Sequence, residues 1–234
     1  VGHAWQAIRT VPQYFDDPSE LASDPRTVEV TLADIAYTYV TDRGVFSHGH
    51  LDEGTALLLQ EAPPPAAAGN LLDLGCGAGP IALAMALRSP TAQVWAVDVN
   101  PRAVALTTAN AHRAGVRVCA ETPAGLPPDI RFATIWSNPP IRIGKGALHA
   151  MLTSSLARLT GGGRAVLVVN RHLGADSLQR WLIDTGWDVD RLASRRGFRL
   201  LEVRHPSEPD RDSGVRSADR VDGDPQPPSR DPHT

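Results

Sequence analysis

NLLDLGCGAGP, residues 70–80, decides the fold. "NLLDL" is a short apolar run of the kind that forms a buried strand. Gly75, Gly77 and Gly79 follow at alternate positions as a tight turn, and Pro80 stands at the first position of a helix reaching to Arg88. A strand, a glycine-rich turn and a helix in that order open an α/β unit, and ligands bind beside such turns in open α/β sheets.

The same alternation continues downstream. "QVWAVDV", "VRVCA", "FATIWS" and "GRAVLVVN" read as strands, separated by helices over Pro101 to Ala114 (closed by Gly115) and over about 145–160. A helix over 175–185, ending near Gly186, leads into "WDVDRLA" and "GFRLLEV", a closing hairpin whose short turn makes it antiparallel. Upstream, "TVEVTLADIAYTYVT" reads as two strands around Ala33-Asp34, a hairpin within 27–46. "APPPAAAGN" (62–70) is a loop. The expected fold class is therefore α/β: a mostly parallel seven-stranded sheet covered on both faces, with an antiparallel C-terminal hairpin and an N-terminal β-hairpin. The expected organisation is an irregular segment over 1–26, one domain over 27–205, and a disordered tail over 206–234, whose Pro, Asp, Arg, Ser and Gly cannot bury enough surface to offset ordering entropy.

Size and composition agree with one domain. The chain has 234 residues, 42% of them hydrophobic, and no apolar run approaches the roughly 20 residues that cross a bilayer. Cys76 and Cys119 are too few for a disulfide framework or a structural zinc site, so no metal is expected and a cytoplasmic protein is the default reading. Cys76 reads as a small loop filler, and Cys119, on a strand, as core. Net charge is −3. The segment from His205 onward carries seven acidic residues against four arginines, which leaves the rest of the chain neutral. That is not the strongly basic surface of an obvious nucleic-acid binder, so charge leaves the partner open.

The glycine turn departs from a dinucleotide fingerprint, because Pro80 stands where the third glycine would lie. Asp73, two residues before Gly75, would repel a pyrophosphate but suits an ammonium or sulfonium. Asp98 closes the next strand, 19 residues after Gly79, and suits ribose hydroxyls. A positively charged nucleoside without phosphate fits all three features, and S-adenosylmethionine is such a molecule. N-capping or turn chemistry is the competing reading of both aspartates.

Asn138-Pro139-Pro140 follows "FATIWS". Two prolines lack N–H groups and push the preceding residues into extended conformation. The segment offers acceptors, the Asn138 side-chain oxygen and nearby carbonyls, to a planar amino group with two hydrogens to give. A bare Asn-Pro-Pro is also an ordinary turn signal.

With these motifs in hand, the chain resembles the class I S-adenosylmethionine-dependent methyltransferases, whose fold is Rossmann-like, and within them the small-domain group that includes the ribosomal RNA guanine-N2 methyltransferases. The resemblance runs from about Arg26 to Arg204 and rests on "RGVFSHGHLDEGTALLL" (43–59), the glycine turn, "AVDVNPRAVALTTAN" (96–110) and "SNPPIRIGKGALHAML" (137–152). It implies that Asp73, Gly75, Gly77 and Gly79 hold the methionine end of the cofactor, with Asp98 on the ribose and Asn100 following it. It also implies that Glu121 lies near the adenine and that Asp52, Gly54 and Thr55 lie close to the cofactor. The guanine-specific enzymes usually carry an aromatic residue after the two prolines, where this chain has Ile141. A related branch of unproven substrate carries Ile-Arg-x-Gly-Lys, as Ile141 to Lys145 do here. Ala133 stands where the family often has Asp, and the second, degenerate domain of the best-known members is absent from these 234 residues.

The expected activity is transfer of a methyl group to an exocyclic amine of ribosomal RNA, guanine N2. Asn138 and Pro139 would accept the amine hydrogens, Pro140 and Ile141 would flank the base, and Arg142 and Lys145 would hold RNA phosphates. Lys145 is the only lysine of the chain, and Arg171 and His172 fall on the same rim. His149 reads as a surface residue, and Arg195, Arg196 and Arg199 as solvent-facing. Protein glutamine N-methylation and adenine-N6 methylation are the chemical alternatives. A dinucleotide-dependent oxidoreductase and a non-catalytic cofactor-binding module lie outside the class.

Overall fold

A computed structural model describes residues 22–206 of the chain. The expectations for the N-terminal segment up to Leu21 and for the tail beyond Pro206 lie outside those residues. Strands β1 (Arg26–Thr31) and β2 (Ala36–Thr41) form the N-terminal hairpin, and helix α1 (Glu53–Glu61) follows. The main domain then runs β3 (Asn70–Leu74), α2 (Pro80–Arg88), β4 (Gln93–Val97), α3 (Pro101–Arg113), β5 (Val118–Glu121) and β6 (Phe132–Ser137). It continues with α4 (Lys145–Leu156), β7 (Leu159–Asn170), α5 (Ala175–Asp184), β8 (Asp188–Arg195) and β9 (Phe198–Arg204).

The seven strands order as β5-β4-β3-β6-β7-β9-β8. The first five are parallel, while β9 pairs antiparallel with both β7 and β8. The expected fold class holds. Strand order reverses between β3 and β6, so the glycine turn after β3 and Asn138 after β6 open side by side into the crevice where open α/β sheets bind ligands.

Side-chain alternation assigns the two faces. Leu71, Val94, Ala96 and Trp136 pack with the hairpin, α1, α2 and α3; Leu72, Leu74, Ile135 and Leu167 pack with α4 and α5. All eight are essentially excluded from solvent, each buried leucine contributing about 1.5–3 kcal/mol. Val28, Val30, Tyr37 and Tyr39 bury the hairpin's inner face in the first of these clusters, and polar contacts fix its seat. Buried Asn110 of α3 donates to the carbonyls of Val40 and Ala78 at 2.8 Å and accepts from Val40 N–H at 2.9 Å, while Tyr37 donates to Pro80 O at 2.7 Å.

Four details differ from the sequence reading. Helix α1 has no counterpart there, because Leu57-Leu58-Leu59 is too short an apolar run to show a helical period; its signal is Asp52, whose Oδ1 accepts Thr55 N–H as an N-cap. Cys119 is exposed rather than core, since β5 is the sheet edge and its alternate residues meet solvent. Arg199 is largely covered and paired with Asp176, not solvent-facing. His149 stacks on Trp181 with ring centroids 3.7 Å apart and is half-buried, so it is a packing residue between α4 and α5.

Candidate active site

The glycine turn follows the end of β3, where Gly75 and Cys76 donate to the Val97 carbonyl at 2.8 and 3.1 Å and draw β3 and β4 together. Gly79 N-caps α2 with φ of +87°, and a Cβ there would lie 2.8 Å from Thr107 Oγ1. Conformation and space both demand glycine. Thr107 in turn donates to the Gly77 carbonyl at 3.1 Å. Cys76 is buried, and burial pushes its thiol well up, which agrees with a loop filler rather than a nucleophile.

Asp73 is wholly buried. Its Oδ2 accepts Ala82 N–H at 2.9 Å, and its Oδ1 has no hydrogen-bond partner. Burial pushes its carboxyl up to about 8, against the Ala82 bond and with help from the nearby Asp98 charge. A buried carboxylate oxygen without a donor is costly, so the free chain holds a proton there, whose place a cation or donor from outside the chain would take. Asp98 lies across the turn, its Oδ2 accepting Gly77 N–H and its Oδ1 accepting Asn100 N–H, each at 2.9 Å. Burial raises its carboxyl despite both bonds. Each oxygen keeps a lone pair for a hydroxyl.

Asn100 caps α3 by accepting Arg102 N–H at 3.0 Å and donates to the Gly44 carbonyl at 2.9 Å, so its side chain is spent on architecture beside the site. Glu121 ends β5 and accepts Asp98 N–H through its carbonyl at 3.3 Å. Its side chain is exposed and folds over Gly125.

Ser137 donates to the Leu74 carbonyl at 2.6 Å, joining the end of β6 to the end of β3. Pro140 Cδ lies 3.7 Å from where a Gly75 Cβ would be, so the two loops touch. Pro139 is buried, and Asn138, Pro140 and Ile141 are half-buried. Asn138 Nδ2 donates to Asp52 Oδ1 at 2.6 Å and to Thr55 Oγ1 at 3.0 Å. Its Oδ1 accepts no bond from any described residue. Arg142 lies in the 3-10 turn after Pro140, Lys145 begins α4, and both are exposed. Arg171 and His172 are exposed beyond β7, at the same C-terminal edge of the parallel strands.

Residues 42–52 bridge the two halves. Gly44 holds Asn100, Val45 lies 3.8 Å from the Cβ position of Gly77, and Asp52 holds Asn138. Between them Phe46 is 58% exposed and Ser47 has φ of +59°. An exposed aromatic and a left-handed non-glycine residue thus stand side by side at the turn of this segment. The sequence reading placed this segment near the cofactor by resemblance, but gave Asp52 no partner and Phe46 no role. The available signal was Asp52 itself, a residue type that favours the N-cap position.

Comparison with known proteins completes the picture. The sequence profile of the methyltransferase small domain matches residues 36–202. The chain belongs to the methyltransferase small domain family. The resemblance read from sequence is thereby borne out, as is a methyltransferase of Rossmann-like fold. The chain is 30% identical over 195 residues to the Bacillus subtilis (strain 168) protein YbxB, covering 82% of this chain and 97% of that protein. It is 32% identical over 211 residues to ribosomal RNA small subunit methyltransferase C of Pseudomonas syringae pv. syringae (strain B728a), covering 88% of this chain and 59% of that enzyme. The T. thermophilus 16S rRNA N2 G1207 methyltransferase, solved with AdoMet and guanosine, superposes with a TM-score of 0.67 at 26% identity, over 80% of this chain and 52% of that one. This small-domain methyltransferase thus spans between half and three-fifths of the length of those two ribosomal RNA enzymes. Among the described residues no helix is long and apolar enough to cross a membrane, and no cluster of His, Cys, Asp and Glu could hold a metal.

Proposed function

We propose that this chain is an S-adenosylmethionine-dependent N-methyltransferase acting on ribosomal RNA at guanine N2. The observation that carries the reading is Asn138. Its amide nitrogen is fully engaged by the protein and its Oδ1 is left to accept, beside the glycine turn. The named activity of the Pseudomonas and T. thermophilus relatives supports the same chemistry.

The residues present fit the cofactor. Buried Asp73 Oδ1 lacks a donor that an α-ammonium would supply, the glycine turn leaves room for backbone approach, and Asp98 retains acceptor capacity for ribose hydroxyls. Bound there, S-adenosylmethionine supplies an activated methyl on sulfur, so alignment of the acceptor is the main task left to the protein. Glu121, exposed at the end of β5, would face the adenine.

Asn138 Oδ1 and the Pro139 carbonyl accept the two hydrogens of the exocyclic amine. This orients the amine and stabilises the positive charge that develops on nitrogen. The methylated amine is acidic and releases its proton to solvent. Pro140 and Ile141 flank the base, and Phe46 offers the aromatic face that Ile141 does not. Arg142, with its planar fork of donors, and Lys145, a compact charge, face the RNA phosphates.

Methyl-labelled cofactor incubated with naked 16S RNA, small ribosomal subunits and release factors tests the reading, with Asn138→Ala as control. Label recovered as N2-methylguanosine is the expected result. Label entering protein alone, or appearing as N6-methyladenosine, overturns the substrate; cofactor binding without any transfer points to a non-catalytic module.

A further inference from the structure

We propose that Asp52 is a positioning residue that locks the Asn138 side-chain amide in one of its two orientations, with the oxygen toward the methyl acceptor. This rests on the reading of Asn138 as the amine-binding residue.

An Asn amide has an acceptor edge and a donor edge of nearly the same shape, and rotation by half a turn exchanges them. Only the donor-inward orientation leaves an acceptor for an amine. Asn138 Nδ2 stands between Asp52 Oδ1 at 2.6 Å and Thr55 Oγ1 at 3.0 Å, which accounts for both of its hydrogens. A hydroxyl can donate or accept and would tolerate either orientation. A carboxylate only accepts. Turning the amide would set its oxygen against Asp52 Oδ1, exchanging a charge-assisted bond for oxygen–oxygen repulsion, a preference of roughly 10- to 100-fold.

Asp52 is itself held. The same Oδ1 caps α1 by accepting Thr55 N–H at 2.9 Å, and Gly54 brings that first turn against the Phe198 ring of β9. Thr55 therefore serves the amide lock, and the first turn of α1 is the support for a group at the end of β6.

Ser and Asn at position 52 separate this role from helix capping, since both cap well. Asp52→Ser is too short to reach Asn138; Asp52→Asn keeps an oxygen there, held in place because the same atom must accept Thr55 N–H to cap α1. Side-chain amide resonances of Asn138, assigned by their loss in Asn138→Ala, should be displaced from the free-amide position in the unaltered protein. They should shift toward it in Asp52→Ser, where only Thr55 Oγ1 still accepts from the amide, and stay displaced in Asp52→Asn. A free-amide position in the unaltered protein overturns the lock whether or not any acceptor is known.

Methyl transfer supplies the second measurement. Asp52→Ser should lower kcat by roughly 10- to 100-fold with cofactor Kd and Tm unchanged, and Asp52→Asn should restore most of it. In the Asn138→Ala background Asp52→Ser should cost nothing further. Equal losses in both backgrounds would show that Asp52 acts independently of Asn138 and overturn the proposal. If the unaltered protein methylates nothing, the functional reading fails, while the resonances still decide the lock.

Discussion

Gly54 lies against the Phe198 ring: a Cβ at Gly54 would lie 2.8 Å from Phe198 Cε1 and 3.0 Å from Asp52 Oδ1. Gly54→Ala sets two effects against each other. Helix propensity favours Ala by about 1 kcal/mol, while overpacking against a ring held between α1 and β9 costs about 1–3 kcal/mol. The clash wins, because the neighbouring atoms belong to a packed ring and to the cap. Gly54→Ala should lower stability by about 1 kcal/mol in chemical denaturation, and adding Phe198→Leu should recover part of it.

Asp73 makes cofactor binding depend on pH. Its carboxyl titrates near 8 in the folded chain against an ordinary value of 3.8, so near neutrality it is largely protonated. A cationic ligand favours the ionised form. Affinity for S-adenosylmethionine should rise as pH increases through about 8, and binding at pH 7 should release up to about one proton, read as buffer-dependent heats in titration calorimetry. The ligand-free chain behaves oppositely. The folded state holds this proton more tightly than the unfolded state, so the stability it contributes is complete below 3.8 and is lost as pH rises through about 8. Asp73→Asn should remove both dependences.

Asn138→Ala removes the acceptor on which the proposed chemistry depends. Single-turnover methyl transfer should slow by roughly 100- to 1000-fold, the cost of losing one group aimed at a developing charge. Cofactor Kd, measured separately, should stay within a small factor, because Asn138 is tied to α1 rather than to the glycine turn.

Asn110→Leu should be structurally expensive. It leaves Val40 N–H and the carbonyls of Val40 and Ala78 without their partner, at about 1–3 kcal/mol for each group that water cannot reach. A fall in Tm is expected together with weaker cofactor binding, since Ala78 belongs to the glycine turn. A fall in Tm alone would mean that the hairpin does not support the turn.

Arg142→Ala combined with Lys145→Ala should raise KM for RNA and flatten its dependence on salt, while leaving cofactor Kd unchanged. Both side chains are exposed and lie past the two prolines, away from Asp73 and Asp98. An unchanged salt dependence would move the phosphate contacts elsewhere on the rim.

Much of the fold was legible because its signals are local. Pro101 with Gly115 bracketed α3, and "NLLDL" before three glycines marked β3 and its turn. Helix α1 was not legible, since its burial comes from β7 and β9 rather than from a period in nine residues. Cys119 was misplaced for a related reason. An apolar strand looks the same at the centre of a sheet and at its edge, and only the order β5-β4-β3 exposes it. In the site, Asp73, Asp98 and Asn138 could be picked out by type and spacing. Their states could not, because those depend on partners distant in the chain.

By itself, the sequence determined the alternation of strand and helix, the glycine turn, the acidic residues around it and the Asn-Pro-Pro segment, all written in short-range pattern. The tertiary structure alone decided that Asn138 meets Asp52 across a separation of 86 residues, and that Asp73 is buried with one oxygen unpartnered. The physical reason is that an amide's orientation and a carboxyl's proton are fixed by neighbours within a few ångströms. Those neighbours are chosen by strand order and by the packing of α1 on the sheet, not by proximity in the chain.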